Sequence, residues 1–193
     1  MMKLYQYKNY EEYKQAQTKA NIQKIVNVWI NESTVNKIKS FFVSECKDIL
    51  CHGVRNAKEI VFFQKHFTKA NVIGTEISTT ASKFRNVVEW DFHNIKEEWK
   101  DKFDIVYSNS WDHSYDPVKS LTTWKEQLKE KGLMFIEVGI TEKDNKSTIT
   151  DPLEINDDEI KNLLSENSLT LQDTFITSAL KNGTKAKVYV IKK

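Results

Sequence analysis

The chain has 193 residues, a net charge of +2 from 29 basic and 27 acidic side chains, and 39% hydrophobic against 29% charged residues. That length suits one domain, spanning 1–193, with a real core, and the composition is not that of a disordered chain. The balanced charge excludes the strong field of a general nucleic-acid or membrane binder, and no run approaches the roughly 18 apolar residues of a membrane span.

The N-terminus, MMKLYQYKNYEEYK, has no apolar signal core, so a soluble, cytoplasmic protein is expected. Two cysteines, Cys46 and Cys51, have four residues between them and no second pair accompanies them. Reduced thiols are expected and no metal site is. Residues 1–45 read as a helical extension that covers the site as a lid or pads the sheet. Tyr10-Glu11-Glu12-Tyr13 opens a helix. The tyrosines at 5, 7, 10 and 13 are packing anchors, since no clustered arginine accompanies them as in a base-stacking platform. Ile22, Ile25, Val26 and Trp29 have helical spacing, and Val35, Ile38, Phe41 and Phe42 predict a helix over 34–44.

From about 46 onward strands and helices alternate. Strands are predicted over 48–51, 71–76 and 87–90, with a helix over 57–67 and short helices within 79–84 and 95–99. Next comes FDIVYSNSWDHSYDPVKSLTTWKEQLKEKGLMFIEVG, residues 103–139. A buried strand at 105–107 enters a polar turn, Ser108 to His113. Asp116-Pro117 starts a helix with Leu121, Trp124 and Leu128 on one face. Lys131-Gly132 ends it through a left-handed glycine, and a strand follows over 133–138. This βαβ order implies a right-handed crossover in a parallel sheet. Ligands bind such sheets beyond the carboxyl ends of the strands, so Asn109 to His113 would face one. The polar loop 141–154 reads as an insertion. The tail is a helix over 157–166 and two strands, 169–177 and 185–191, with a hairpin signal at Asn182-Gly183.

Five β/α strands followed by a helix and a hairpin form the outline of the class I S-adenosylmethionine-dependent methyltransferases. The stretch 103–132 resembles that superfamily's pattern FDxVxSNxxxHxxDPxxxL followed by LKPGG. It matches at Phe103, Asp104, Val106, Ser108, Asn109, His113, Asp116, Pro117, Leu121, Leu128, Lys129 and Gly132. The resemblance covers roughly 45–193. It implies a doubly wound, Rossmann-like α/β fold with a seven-stranded, mostly parallel sheet of order 3-2-1-4-5-7-6, strand seven antiparallel. It also implies S-adenosyl-L-methionine as cofactor and methyl transfer to O, N or S of a small-molecule acceptor.

By the same resemblance Glu76 would bind both ribose hydroxyls, which suits an acceptor-only carboxylate, with Ile77 a further contact. Asp91 would accept from the adenine amino group, with Phe92 and Trp90 flanking the ring. The first loop departs from the family. Where an acid and then G-x-G-x-G are usual, the chain has Cys51-His52-Gly53-Val54-Arg55-Asn56-Ala57. Cys51 stands in the acid's place, only Gly53 matches, and Arg55 and Ala57 stand near the later glycines. Cys51, His52, Gly53 and Arg55 are still expected around the methionine part of the cofactor, Arg55 on its carboxylate and Asn109 or the Ser108 carbonyl on its amino group. His113 is the candidate proton acceptor, with Asp112 beside it. The depleted loop leaves a second reading, a non-catalytic module binding S-adenosylmethionine or a nucleotide. A lone Gly53 without G-x-G-x-x-G argues against an NAD enzyme.

Overall fold

A computed structural model describes residues 2–140, 147–177 and 185–193. In chain order the elements are β1 (Lys3–Leu4), α1 (Tyr10–Gln23), α2 (Glu32–Lys39), β2 (Asp48–His52), α3 (Lys58–His66), β3 (Asn71–Glu76), β4 (Val87–Glu89), β5 (Phe103–Ser108), α4 (Pro117–Gln127), β6 (Leu128–Ile140), β7 (Leu153–Glu154), α5 (Asp157–Glu166), β8 (Thr170–Ile176) and β9 (Lys185–Lys192). Seven strands form one sheet in the order β4-β3-β2-β5-β6-β9-β8. The first five run parallel and β9 is antiparallel to both neighbours. This is the order and polarity expected from the sequence.

Both sheet faces are covered, which is why the central strands read as apolar runs. Ile49, Cys51, Ile105, Tyr107, Leu133 and Phe135 share one core with Val35, Ile38, Ile60 and Phe63 of α2 and α3. Leu50, Val106, Met134 and Ile136 share the other with Leu121, Trp124, Ile160 and Leu164 of α4 and α5. The helix starts are set locally. Asp116 caps α4 by accepting from Lys119 N at 2.9 Å, with Pro117 in the first turn. Asn156 and Glu159 form a capping box on α5.

Three expectations are corrected. The helix α4 ends at Gln127, not at Lys131-Gly132, because Leu128 already turns extended and begins β6. Gly132 is not left-handed; a Cβ there would lie 2.8 Å from the Phe103 carbonyl oxygen, so close approach is what requires glycine. α1 stops at Gln23, leaving Ile25, Val26 and Trp29 outside a helix, and Val26 is exposed. α2 spans Glu32–Lys39, and Phe41 and Phe42 pack on the core from the chain beyond it. One pairing had no signal: β1 and β7 form a separate two-stranded antiparallel sheet, Leu4 opposite Leu153. The Asn182-Gly183 hairpin and residues 141–146 of the loop lie outside the described residues.

Candidate active site

The parallel strands β2 to β6 bring their carboxyl ends to one edge, and the site is built there. β2 ends at His52 and the chain turns through Gly53, Arg55 and Ala57 into α3. All three have left-handed backbones, with φ of 70°, 38° and 61°. The loop therefore takes a left-handed conformation at the two places, Arg55 and Ala57, where the sequence has lost glycine. A left-handed non-glycine residue costs roughly 1–2 kcal/mol, and a set of hydrogen bonds holds the shape. Gly53 N and Val54 N donate to the Thr75 carbonyl at 2.9 and 3.1 Å, and Ala57 N donates to the Val54 carbonyl. Arg55 N donates to Glu76 Oε2 at 3.0 Å. Asn56 Nδ2 donates to the carbonyls of Ile25 and Asn27.

Two cavities meet over this loop. Gly53, Arg55, Ser110 and His113 line both. The narrow one, 50 Å³, is bounded by Glu76, Ile77, Asp91 and Phe92 and by Tyr13, Gln17 and Asn21 of α1. The wide one, 360 Å³, is bounded by Glu59, Asn109, Asp112, Glu137 and Asp151 among others.

At the narrow end the buried Glu76 accepts from the backbone N–H groups of Arg55 and Ser78, at 3.0 and 3.1 Å. Burial raises its carboxyl above the usual range, and the two N–H groups offset part of that. One lone pair on each oxygen is left for another donor. Asp91 is already engaged. Its Oδ1 accepts from His93 N at 3.0 Å and pairs with His93 Nδ1 at 2.6 Å, and its Oδ2 accepts from Tyr10 OH at 2.9 Å. Burial works to raise this carboxyl, but the His93 contacts and the Tyr10 hydroxyl hold it below the ordinary range. Tyr13 is buried against the rings of His93 and Tyr115. α1 thus lies directly over this end. Trp90 bonds to the Asn94 carbonyl and lines neither cavity.

Two expected contacts are absent from both linings. Cys51 is wholly buried under α3, and burial, with Glu59 nearby, pushes its thiol well up. His52 points to the opposite side of the sheet. It is wholly buried, stacked on Trp124, with Nδ1 2.8 Å from Thr75 Oγ1 and Nε2 2.8 Å from Gln127 Oε1. Burial pushes it down to about 4. Adjacent strand residues face opposite ways, so neither side chain reaches past the strand end; Gly53 is the first residue that does.

At the wide end His113 Nδ1 donates to the Thr150 carbonyl at 2.6 Å, which leaves Nε2 with the lone pair of the neutral ring. Asp112 Oδ1 lies 3.8 Å from Nε2 and Asp151 Oδ1 lies 3.9 Å from Nδ1. The same Thr150 carbonyl accepts from Gln17 of α1 at 3.2 Å. Asn109 Nδ2 donates to Glu59 Oε1 at 3.1 Å. Tyr107 OH donates to Glu137 Oε2 at 2.6 Å. Burial raises both Glu59 and Glu137 to about 7. Neither glutamate was expected at the site. Glu137 did carry a signal, a lone acid inside the apolar run Leu133 to Val138. Glu59 did not, because an acid in a first helical turn is ordinarily explained by the helix dipole.

The sheet order and polarity are those of the Rossmann-like fold of class I S-adenosylmethionine-dependent methyltransferases. No family model and no curated protein matches the sequence; solved structures match in shape. A Burkholderia thailandensis 1,6-didemethyltoxoflavin-N1-methyltransferase with bound 1,6-didemethyltoxoflavin and S-adenosylhomocysteine aligns with TM-score 0.75 and 14% identity, over 98% of this chain and 92% of that one. The plantazolicin methyltransferase BpumL, in complex with a triazolic desmethylPZN analog and SAH, aligns with TM-score 0.67 and 13% identity, over 95% and 96%. The [4+2]-cyclase SpnF aligns with TM-score 0.67 and 8% identity, over 92% and 93%. Among the described residues no helix is long and apolar enough to cross a membrane.

Proposed function

We propose that the chain binds S-adenosylmethionine and transfers its methyl group to O, N or S of a small-molecule acceptor. The observation that carries this reading is the loop at 53–57. It keeps left-handed turns at Gly53, Arg55 and Ala57 and is tied through Arg55 N to Glu76, the acid that ends the neighbouring strand. The available groups fit the cofactor. Glu76 retains a lone pair on each oxygen for a ribose diol. Asp91 and Phe92 border the adenine side. The Arg55 guanidinium makes no hydrogen bond among the described residues and would take the carboxylate, with Asn109 near the amino group. When bound, the cofactor supplies a methyl on a positively charged sulfur, already activated for attack.

The chain's own contribution is alignment and proton removal. Thr150 fixes the His113 ring with Nε2 as acceptor. Once the ring takes a proton from an acceptor O–H or N–H, Asp112 and Asp151 on either side stabilise the imidazolium. The acceptor would occupy the wide cavity; the toxoflavin and plantazolicin enzymes named above each hold a small molecule besides S-adenosylhomocysteine. α1 acts as the lid of the nucleoside end.

Calorimetric titration with S-adenosylmethionine and S-adenosylhomocysteine tests the reading; failure of both to bind would overturn it. A second reading, binding without methyl transfer, has one observation in its favour: Arg55 and Ala57 stand in the loop after β2 where the family pattern has glycine. The narrow cavity has room for a few waters and not for a nucleoside, so α1 must yield before the cofactor enters. The fold also carries a cyclase. Tight cofactor binding with no turnover on a broad acceptor panel would favour this alternative.

A further inference from the structure

The wide cavity contains two carboxyl groups that the proposed methyl transfer does not use. Glu59, on the first turn of α3, and Glu137, on β6, are 5% and 4% exposed and line the same wall region. Each has one satisfied oxygen, Glu59 Oε1 by Asn109 and Glu137 Oε2 by Tyr107. Each has one orphan: Glu59 Oε2 and Glu137 Oε1 are buried with no hydrogen-bond partner among the described residues. Buried polar atoms are nearly always paired, so two orphans on one cavity call for a missing donor. The side chains around them do not supply it. Arg55 is close enough to Glu59 to act on it electrostatically, yet its guanidinium donates to neither glutamate.

The charges around the cavity are unequal as well. Glu59, Asp112, Glu137 and Asp151 face Lys24, Arg55 and His113. Away from Arg55, beside Glu59 and Glu137, this excess of acids favours a cationic group over an anionic one. Glu137 stands on the far side of the cavity from Glu76 and Asp91, one residue beyond the level of Ser108 in the β5–β6 register and flanked by Val138, Gly139 and Ala186.

We propose that the acceptor carries a cationic nitrogen group, an ammonium, amidinium or guanidinium, and that Glu137 with Glu59 holds it as an anchor distinct from the methyl-accepting atom. This rests on the methyl-transfer reading for the word acceptor. Such a cation carries N–H donors for both orphan oxygens, and its charge favours the ionised form of both acids. The cofactor's own α-ammonium has the same chemistry, so the test separates the two sources.

Benzamidine, benzyl alcohol and benzoate are titrated calorimetrically into the protein with and without saturating S-adenosylhomocysteine. Benzamidine is expected to bind, benzyl alcohol more weakly and benzoate not at all. Glu137→Gln, which keeps an acceptor for Tyr107, is expected to weaken benzamidine about tenfold and leave S-adenosylhomocysteine affinity unchanged. Glu59→Gln serves as the second variant, and the wild-type ranking of the three probes needs no variant at all. Benzamidine binding no better than benzyl alcohol, or a loss in Glu137→Gln confined to S-adenosylhomocysteine, overturns the proposal. Absence of S-adenosylhomocysteine binding overturns the methyltransferase reading instead.

Discussion

Ser110 sits directly on Gly53. Its hydroxyl donates to the Gly53 carbonyl at 3.1 Å, and a Cβ added at Gly53 would lie 2.6 Å from the Ser110 Cβ. Both residues border both cavities, so this contact is the threshold between the narrow cavity and the wide one. Gly53→Ala meets two penalties, a left-handed φ and a clash with Ser110. It is expected to lose about 2–3 kcal/mol of stability and to weaken S-adenosylhomocysteine binding. Adding Ser110→Gly should restore the part due to the clash and not the part due to φ. Urea unfolding of the two singles and the double checks this; strict additivity would show that the two residues do not press on each other.

Arg55 combines strain with a free cation, so its two roles can be separated by substitution. Arg55→Gly relieves the left-handed φ and should gain roughly 0.5–1 kcal/mol after the entropy of the unfolded glycine is counted. Arg55→Ala keeps the strain and should gain nothing. Both remove the guanidinium and should weaken S-adenosylhomocysteine to the same degree. Equal stability in the two variants would contradict the strain argument, and unchanged affinity would contradict the carboxylate contact.

Glu59 and Glu137 give stability an unusual pH dependence. In the folded chain burial raises each to about 7 from an ordinary carboxyl value of 4.5. Between those values the folded chain holds protons that the unfolded chain has released. Their contribution is therefore fully present below about pH 4.5 and is lost as pH rises through 7, roughly 3 kcal/mol for one carboxyl. His52, pushed down to about 4, acts in the opposite sense, losing stability as pH falls from 6.5 towards 4. Comparing wild type with Glu137→Gln isolates the acid. The variant should lose less stability than wild type between about pH 5 and pH 8. Parallel urea midpoints across that range would rule this out.

A nucleoside in the narrow cavity would require α1 to move, and α1 is tied to the loop before β7. Tyr7 OH donates to the Ile149 carbonyl, Gln17 Nε2 to the Thr150 carbonyl and Tyr5 N to the Pro152 carbonyl. Hydrogen exchange should therefore show S-adenosylhomocysteine changing protection in residues 10–23 and 147–154 together. A change in one segment without the other would mean the links break on binding.

The sheet was legible because its strands are buried on both faces and punctuated by turns. Apolar runs such as Ile49-Leu50-Cys51 and Leu133 to Ile136 admit few other readings. The boundary of α4 was misread because Gly132 has two physical uses, a left-handed turn or a close approach, and sequence alone does not distinguish them. α1 was misjudged for a related reason. Its buried face is Tyr13, Gln17, Ala20 and Asn21, correctly spaced but half amide, because it packs on a polar cleft rather than on a core. Glu76, Asp91 and Asn109 were expected at or just past strand ends, which sequence shows well, and each lines one of the two cavities. The inward alternation that withdraws Cys51 and His52 from the cleft needed a register, and the pairing of Leu4 with Leu153 joins segments too far apart in the chain for any local pattern to reveal.

The Thr150 carbonyl has a further consequence. It receives Gln17 from the helix over the narrow cavity and His113 from the wall between the two cavities, while β7, three residues on, is fastened to β1. One oxygen thus serves as an interlock. A displacement of the helix would be felt at the His113 ring through this oxygen. On the proposed reading, the setting of the base would then be coupled to closure over the cofactor.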